Sequence, residues 1–285
     1  MVKLIFGFPV HEEFEVALDV YYSIKKLNND PLVLYSSNQD LGSSIDNFKK
    51  VPSRRVYKLN MMHNCVFDMC EEIKDMDFDF FVKLDSDCLF ANYGFERIFK
   101  GAFDFCAQVE PDHALRWNHG IRLFRNLASY LKLLDDLQLK RRDRTIAGAM
   151  CCLQIYSKRA VRFIAENAEI IEKSSGYAEL KEACYVDGDY QPGLCLSDAF
   201  FPNVLKDAGF TFIPNPFTTD LQDDTGYVRW RPYWSIDEVI HKDTSELGIL
   251  YHPVKRKLND SFRKYIMKKL VGDSQRPLGN KENGK

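Results

Sequence analysis

Two aspartates flank one small residue in Asp85-Ser86-Asp87, with Phe80-Phe81-Val82-Lys83-Leu84 before them and Cys88-Leu89-Phe90 after. Carboxylates carried into so apolar a setting cost on the order of several kcal/mol each unless something partners them. A divalent cation is a natural partner. Mg²⁺ or Mn²⁺ takes oxygen ligands and shares them readily with phosphates. The tripeptide is common, and elsewhere it is a helix cap or a surface turn, so its weight depends on placement. His252, in Leu250-Tyr251-His252-Pro253-Val254-Lys255, could complete such a site with a neutral imidazole. Read alone, it is a strand-end histidine before a turn proline. Lys255 could then face a diphosphate. Asp198, in Leu194-Cys195-Leu196-Ser197-Asp198-Ala199, opens a helical pattern. A carboxylate there can take a proton from an attacking hydroxyl or cap the helix, and the two roles are compatible. Asp187 and Asp189, around Gly188, compete with it for the first role.

The elements that must position these groups alternate in type up to about residue 110. Lys3 to Phe8 reads as a strand. Glu13 to Leu27 carries apolar residues at helical spacing and is broken by Asn28-Asn29-Asp30-Pro31. Leu32 to Tyr35 is a second strand, Met61 to Ile73 a second helix, and Phe78 to Leu84 a strand buried on both faces. Such alternation implies parallel strands joined by crossover helices, with ligands outside the carboxyl ends of the strands. Asp85 to Asp87 falls at such an end, and Lys83 just before it could reach solvent or a phosphate. The second half is less regular. Leu123 to Leu139 reads as a helix, Ala147 to Tyr156 as a strand entered through a Gly148 loop, and Ser157 to Glu172 as a helix. Asp198 to Ala208 is a further helix capped by Ser197 or Asp198, and Phe210 to Ile213 a strand. Residues 258–270 form a basic helix and 271–285 a polar, disordered tail.

Composition leaves these readings open and closes others. The chain has 285 residues, 45% hydrophobic and 28% charged, with a net charge of -2, so no overall basic field gathers nucleic acid. No run approaches the roughly 20 apolar residues of a membrane span. The short apolar start, Met1 to Pro9, reads as a first core strand rather than a signal peptide, and the protein as cytoplasmic. Eight cysteines without a CxxC pair read as buried reduced thiols. The basic stretch from Lys255 to Lys269 carries Leu258, Phe262, Ile266 and Met267. It reads as a solvated helix with one packed face, or as a peripheral contact with an anionic membrane surface.

The order of strand-helix alternation, Asp85-Ser86-Asp87, a small-residue loop at Ala147-Gly148-Ala149-Met150, an acidic helix start and a late histidine resembles the metal-dependent GT-A glycosyltransferases. The resemblance covers residues 1 to 257. It implies an α/β fold with a Rossmann-type mixed central sheet flanked by helices. One domain would hold two abutting lobes, a nucleotide-sugar half over about 1–110 and an acceptor half over about 111–257. It implies transfer of a sugar from a nucleoside-diphosphate donor, UDP by family habit, to an acceptor hydroxyl with inversion. Mn²⁺ or Mg²⁺ would lie on Asp87 and His252, with Asp85 assisting directly or through the donor ribose. Asp198 would be the base, although this chain lacks a Glu before it. The donor would lie against Phe8, Pro9, Val10, Ser37, Asn38, Lys83, Ser86, Gly148 and Lys255. The acceptor, a glycan, lipid-linked sugar, metabolite, protein or modified nucleic acid, would meet Trp117, Trp230, Tyr233 or Trp234. A nucleotidyltransferase shares the architecture, but Gly7-Phe8-Pro9-Val10-His11 lacks its Gly-rich basic loop. A non-catalytic binding protein of the same fold is the other alternative.

Overall fold

The computed structural model describes residues 2–10, 14–37, 45–57, 61–106, 123, 125–143, 145–149, 152–184, 195–214, 228–229, 232–241 and 248–272. The first half runs β1 (Leu4–Pro9), α1 (Phe14–Leu27), β2 (Leu32–Ser36), β3 (Phe48–Lys50), α2 (His63–Ile73), β4 (Phe80–Leu84), β5 (Leu89–Phe90), a 3-10 turn (Phe95–Lys100) and β6 (Phe105–Cys106). The second half runs α3 (Leu127–Asp136), β7 (Leu153–Ser157), α4 (Lys158–Lys173), α5 (Ser175–Glu182), α6 (Leu196–Asp207), β8 (Phe212–Ile213), α7 (Ile236–His241), β9 (Leu250–Tyr251) and α8 (Ser261–Val271).

Seven strands form one mixed sheet in the order β3-β2-β1-β4-β7-β6-β8, so elements from both halves share it. β1 is parallel to both β2 and β4, and β2 to β3, whereas β7 is antiparallel to β4 and β6. The chain therefore switches direction of winding between β1 and β4. In open α/β sheets a ligand crevice lies outside the carboxyl ends at such a switch. Because β7 runs the other way, its start at Leu153 lies opposite Leu84, at the same edge.

Period-two alternation divides the core between the two faces. Phe6, Phe8, Val82 and Leu84 face α1 and α8, and Ile5 and Phe81 face α2, α4 and α6. Gly7 has little room for a side chain, since a Cβ there would lie 2.6 Å from Met69 Sδ. α4 starts where Ser157 Oγ accepts from the Ala160 N–H at 3.2 Å. Its apolar stripe, Val161, Ile164, Ala168 and Ile171, is buried.

The second half departs from the sequence reading in detail. Strand pairing begins at Leu153, not Ala147, and residues 145–149 are in neither helix nor strand. α6 is capped by Cys195, with no side-chain capping bond, so Asp198 lies inside the first turn. α5 follows α4 directly and was not foreseen. The C-terminal helix covers 261–271 rather than 258–270, and Phe262, Ile266 and Met267 on it are buried. The apolar side chains that a membrane contact would use are thus taken up in the fold. The tail from residue 273 lies outside the described residues. Cys65, Cys70, Cys88, Cys106, Cys152, Cys184 and Cys195 are buried, and none is in a disulfide. No helix among the described residues is long and apolar enough to cross a membrane.

Candidate active site

β4 ends at Leu84, and the next three residues turn back toward β5. The turn is closed by the Cys88 N–H donating to Asp85 C=O at 3.0 Å, and Asp85 N–H is held by Cys152 C=O at 3.2 Å. β5 pairs with β9, Leu89 opposite Tyr251. That short pairing carries His252 to the Asp85–Asp87 turn from more than 160 residues away in sequence. The Val254 N–H donates to Asp87 C=O at 2.9 Å and completes the seam.

The two aspartates are used differently. Lys83 is 1% exposed, and its Nζ donates to Asp85 Oδ1 at 2.5 Å. Burial pushes the Asp85 carboxyl up, but Lys83, His252 and Arg256 outweigh burial and bring it to about 2. Asp87 is buried, and its Oδ1 has no hydrogen-bond partner. That oxygen lies 3.3 Å from His252 Nε2, while Arg256 Nη2 lies 3.2 Å from Oδ2.

The imidazole is fixed from behind. His252 Nδ1 lies 2.7 Å from Arg229 C=O, an acceptor only, so the proton on that nitrogen is assigned by its partner. In the neutral ring Nε2 then presents a lone pair to Asp87. His252 C=O accepts from the Arg229 N–H at 2.9 Å and from Trp234 Nε1 at 3.1 Å. The Arg229 guanidinium stacks 3.9 Å over the Trp234 ring, and Glu238 binds it at 2.9 Å. Trp234, 1% exposed, therefore backs His252 rather than presenting a face to an acceptor.

With the ring neutral, two buried acceptors face each other at 3.3 Å and repel in a medium that screens poorly, so a cation between them would be held by both; with a proton on Nε2 the same contact is an ion pair. Cys88 joins them: one ligand atom each from Asp87, Cys88 and His252 lies within 4.8 Å of the others. Burial first, then Asp87 and Asp85, push the Cys88 thiol well above its ordinary range.

The acidic helix start reaches the same edge of the sheet by backbone contacts. Gln154, paired across the ladder with Lys83, donates through Nε2 to Ser197 C=O at 3.1 Å. The Ala149 N–H donates to Asp198 C=O at 2.8 Å. Asn203 clamps Ala147, accepting from its N–H at 2.8 Å and donating to its C=O at 2.6 Å. These bonds tie the loop around Gly148 to α6. Asp198 is 3% exposed.

Several expected donor contacts are placed elsewhere. Phe8 is fully buried and stacks on Phe48 with ring centroids 5.9 Å apart, so it is core and does not reach a base. Pro9 and Val10 are also buried, Val10 N–H donating to Ser36 C=O. Ser37 is buried, and its C=O accepts from Ser53 Oγ. Lys255 points to Asp260 at 3.9 Å, and Arg256 is the cation at Asp87 in its place. Ser86 is buried within the turn. Asn38, Asp187, Asp189, Trp117 and Trp230 lie outside the described residues. Arg256, Cys88 and the Arg229–Trp234 support were not foreseen. A basic residue four positions after His252 was the available signal for the first.

No family model matches the chain, and no curated protein matches it in sequence. Among solved structures it is similar to a crystal structure of the galactosyltransferase LgtC in complex with donor and acceptor sugar analogs. The identity is 10%, the coverage 94% of this chain and 96% of that one, and the TM-score 0.45. At that score the likeness says nothing about the site, which stands on the geometry above.

Proposed function

We propose that the protein is a glycosyltransferase that uses a divalent cation to move a sugar from a nucleoside-diphosphate donor, UDP-linked by expectation, to an acceptor hydroxyl. The observation that carries this reading is the buried pair Asp87 Oδ1, which has no hydrogen-bond partner, and His252 Nε2, 3.3 Å apart at the carboxyl end of β4. The winding switch between β1 and β4 supports a nucleotide crevice at the same place. A cation held by Asp87 and His252, Mn²⁺ or Mg²⁺ by the family resemblance, would supply charge neutralisation at the diphosphate leaving group.

The chain's own groups complete the reading. Arg256, its side chain 36% exposed, balances Asp87 and is long enough to turn to a phosphate. Asp85 is committed to Lys83, so its part is to fix the turn and serve the donor through its remaining contacts. Asp198 is the base that takes the acceptor proton, and the loop through Gly148 lies beside the donor sugar. Inversion at the sugar carbon follows if Asp198 acts on the acceptor directly.

The test is turnover of a panel of nucleoside-diphosphate sugars with and without Mn²⁺. Nucleoside diphosphate should be released, whereas pyrophosphate would indicate nucleotidyl transfer. Asp87→Ala should lower turnover by at least about 100-fold, several kcal/mol of leaving-group stabilisation being lost. Asp198→Asn should lower kcat by about 10²–10⁴-fold with donor affinity kept. Full activity of Asp87→Ala with every donor would end this reading.

A further inference from the structure

We propose that Cys88 is a third protein ligand of the Asp87–His252 centre, which therefore prefers a thiophilic cation such as Zn²⁺, Co²⁺ or Cd²⁺ over Mn²⁺ or Mg²⁺. The inference rests on the reading that Asp87 and His252 hold a divalent cation, and it specifies which one.

Three observations support it. The candidate ligand atoms of Asp87, Cys88 and His252 lie within 4.8 Å of one another, so some point lies within about 2.8 Å of all three (4.8/√3). Less than about 1 Å of adjustment at each side chain then reaches the roughly 2.0–2.3 Å bonds of Zn²⁺ to nitrogen, oxygen and sulfur. All three residues are buried, and Asp87, 5% exposed, holds an oxygen with no hydrogen-bond partner 3.3 Å from His252 Nε2. The backbone is pinned on both sides, by Cys88 N–H to Asp85 C=O and by Val254 N–H to Asp87 C=O.

The chemistry of the donor set decides the cation. Mg²⁺ and Mn²⁺ favour carboxylate, carbonyl and water, whereas a thiolate beside an imidazole and one carboxylate suits Zn²⁺ or Co²⁺. Cys88 Sγ contacts Cys152 C=O at 3.3 Å, a weak bond that a metal-sulfur bond readily replaces. On binding, the S–H proton passes to buffer as the metal-sulfur bond forms, with no change of oxidation state. Three protein ligands leave a fourth position open, as catalytic rather than structural zinc sites do.

The experiment is titration of the full chain, stripped of metal, with Co²⁺, Zn²⁺ and Mn²⁺. Co²⁺ should produce a thiolate-to-metal charge-transfer band in the near ultraviolet. Cys88→Ala and Cys88→Ser should remove the band while retaining weaker Co²⁺ binding. In competition with a chromophoric chelator, Zn²⁺ should bind at least about 100-fold tighter than Mn²⁺ to the native chain. Zn²⁺ affinity should fall more than about tenfold in Cys88→Ala, with Mn²⁺ affinity nearly unchanged. Thermal unfolding of both variants checks that they fold, and the native band decides the matter if one does not. Co²⁺ binding without the band, or an unchanged Zn²⁺ affinity in both variants, overturns the Cys88 assignment. In that case Mn²⁺-dependent turnover of a sugar nucleotide would leave the wider reading intact. Failure of every divalent cation to bind the native chain overturns both.

Discussion

Asp85 and Asp87 are one residue apart and have opposite needs. Asp85 answers a buried ammonium at 2.5 Å, whereas Asp87 faces His252 Nε2 at 3.3 Å and Arg256 Nη2 at 3.2 Å. Asp85→Asn therefore breaks the ion pair with Lys83, 1% exposed, and should destabilise the fold by about 3 kcal/mol, read as a lowered urea midpoint. Asp87→Asn gives up the contact with the partly exposed Arg256, which is worth little, and should be milder in stability while abolishing cation binding. Activity lost in an Asp85 variant is thus ambiguous, and Asp87 is the informative position. The Asp85 carboxyl also sets a pH dependence. Its folded value is about 2 against an ordinary 3.8, so it binds protons less readily than in the unfolded chain. Its contribution is fully present above the ordinary value and is lost as pH falls from about 4 toward 2. Asp104, held well below its ordinary range by Arg159, Thr211 and Ser157 against the cost of burial, acts in the same direction. Stability to urea should therefore fall steeply below about pH 4, and Asp85→Asn should flatten that slope. An equal slope in native and variant chains would remove Asp85 from the account.

Elements succeed or fail here by how closely they approach. A Cβ on Gly176, in α5, would lie 2.2 Å from Ser129 C=O and 2.7 Å from Leu133 N, both backbone atoms of the α3 segment. Backbone cannot rotate away, so Gly176→Ala should force the two helices apart and cost about 1–3 kcal/mol or more. Gly101→Ala, with nothing within 4 Å and an ordinary extended backbone, is the control and should be neutral or stabilising by about 0.5 kcal/mol. Equal unfolding temperatures for the two variants would contradict the close approach. The same scale explains what the sequence disclosed. β1, α1, β2, α2 and β4 are long enough to carry a period, and each was legible to within about two residues. β5, β6 and β9 have two residues each and no period to read. They exist because distant partners pair with them, and the β5–β9 seam is the one that delivers His252. Asp85, Asp87 and His252, which the fold brings together, could be singled out because their residue types carry chemistry wherever they fall. Arg256 depends on the turn after His252, and Cys88 resembles the other core thiols until its neighbours are known. Phe8 could be core or base platform in sequence, and packing against Phe48 decided for core.

At the scale of the molecule, the C-terminal helix is part of the site's foundation. α8 lies on α1, and Arg263 at their contact is fully buried. Its Nη1 lies 3.4 Å from Asp19 Oδ2 and 3.4 Å from Val16 C=O, and its Nε donates to Lys255 C=O at 3.0 Å. One side chain thus ties the first helix, α1, to the segment that carries His252 and Arg256. Removing it breaks the buried pair with Asp19, and breaking such a pair costs about 3–5 kcal/mol. Arg263→Ala should lower the unfolding midpoint by that amount. It should also weaken divalent-cation binding while the variant is still folded, because residues 252–256 lose their anchor. Lys264→Ala, one residue along on the exposed side of the helix, should stay within about 0.5 kcal/mol of the native chain and bind cations normally. Calorimetric titration of both variants, well below their unfolding temperatures, separates the two effects. Native cation affinity in a folded but destabilised Arg263→Ala would mean that α8 stabilises the molecule without positioning the site.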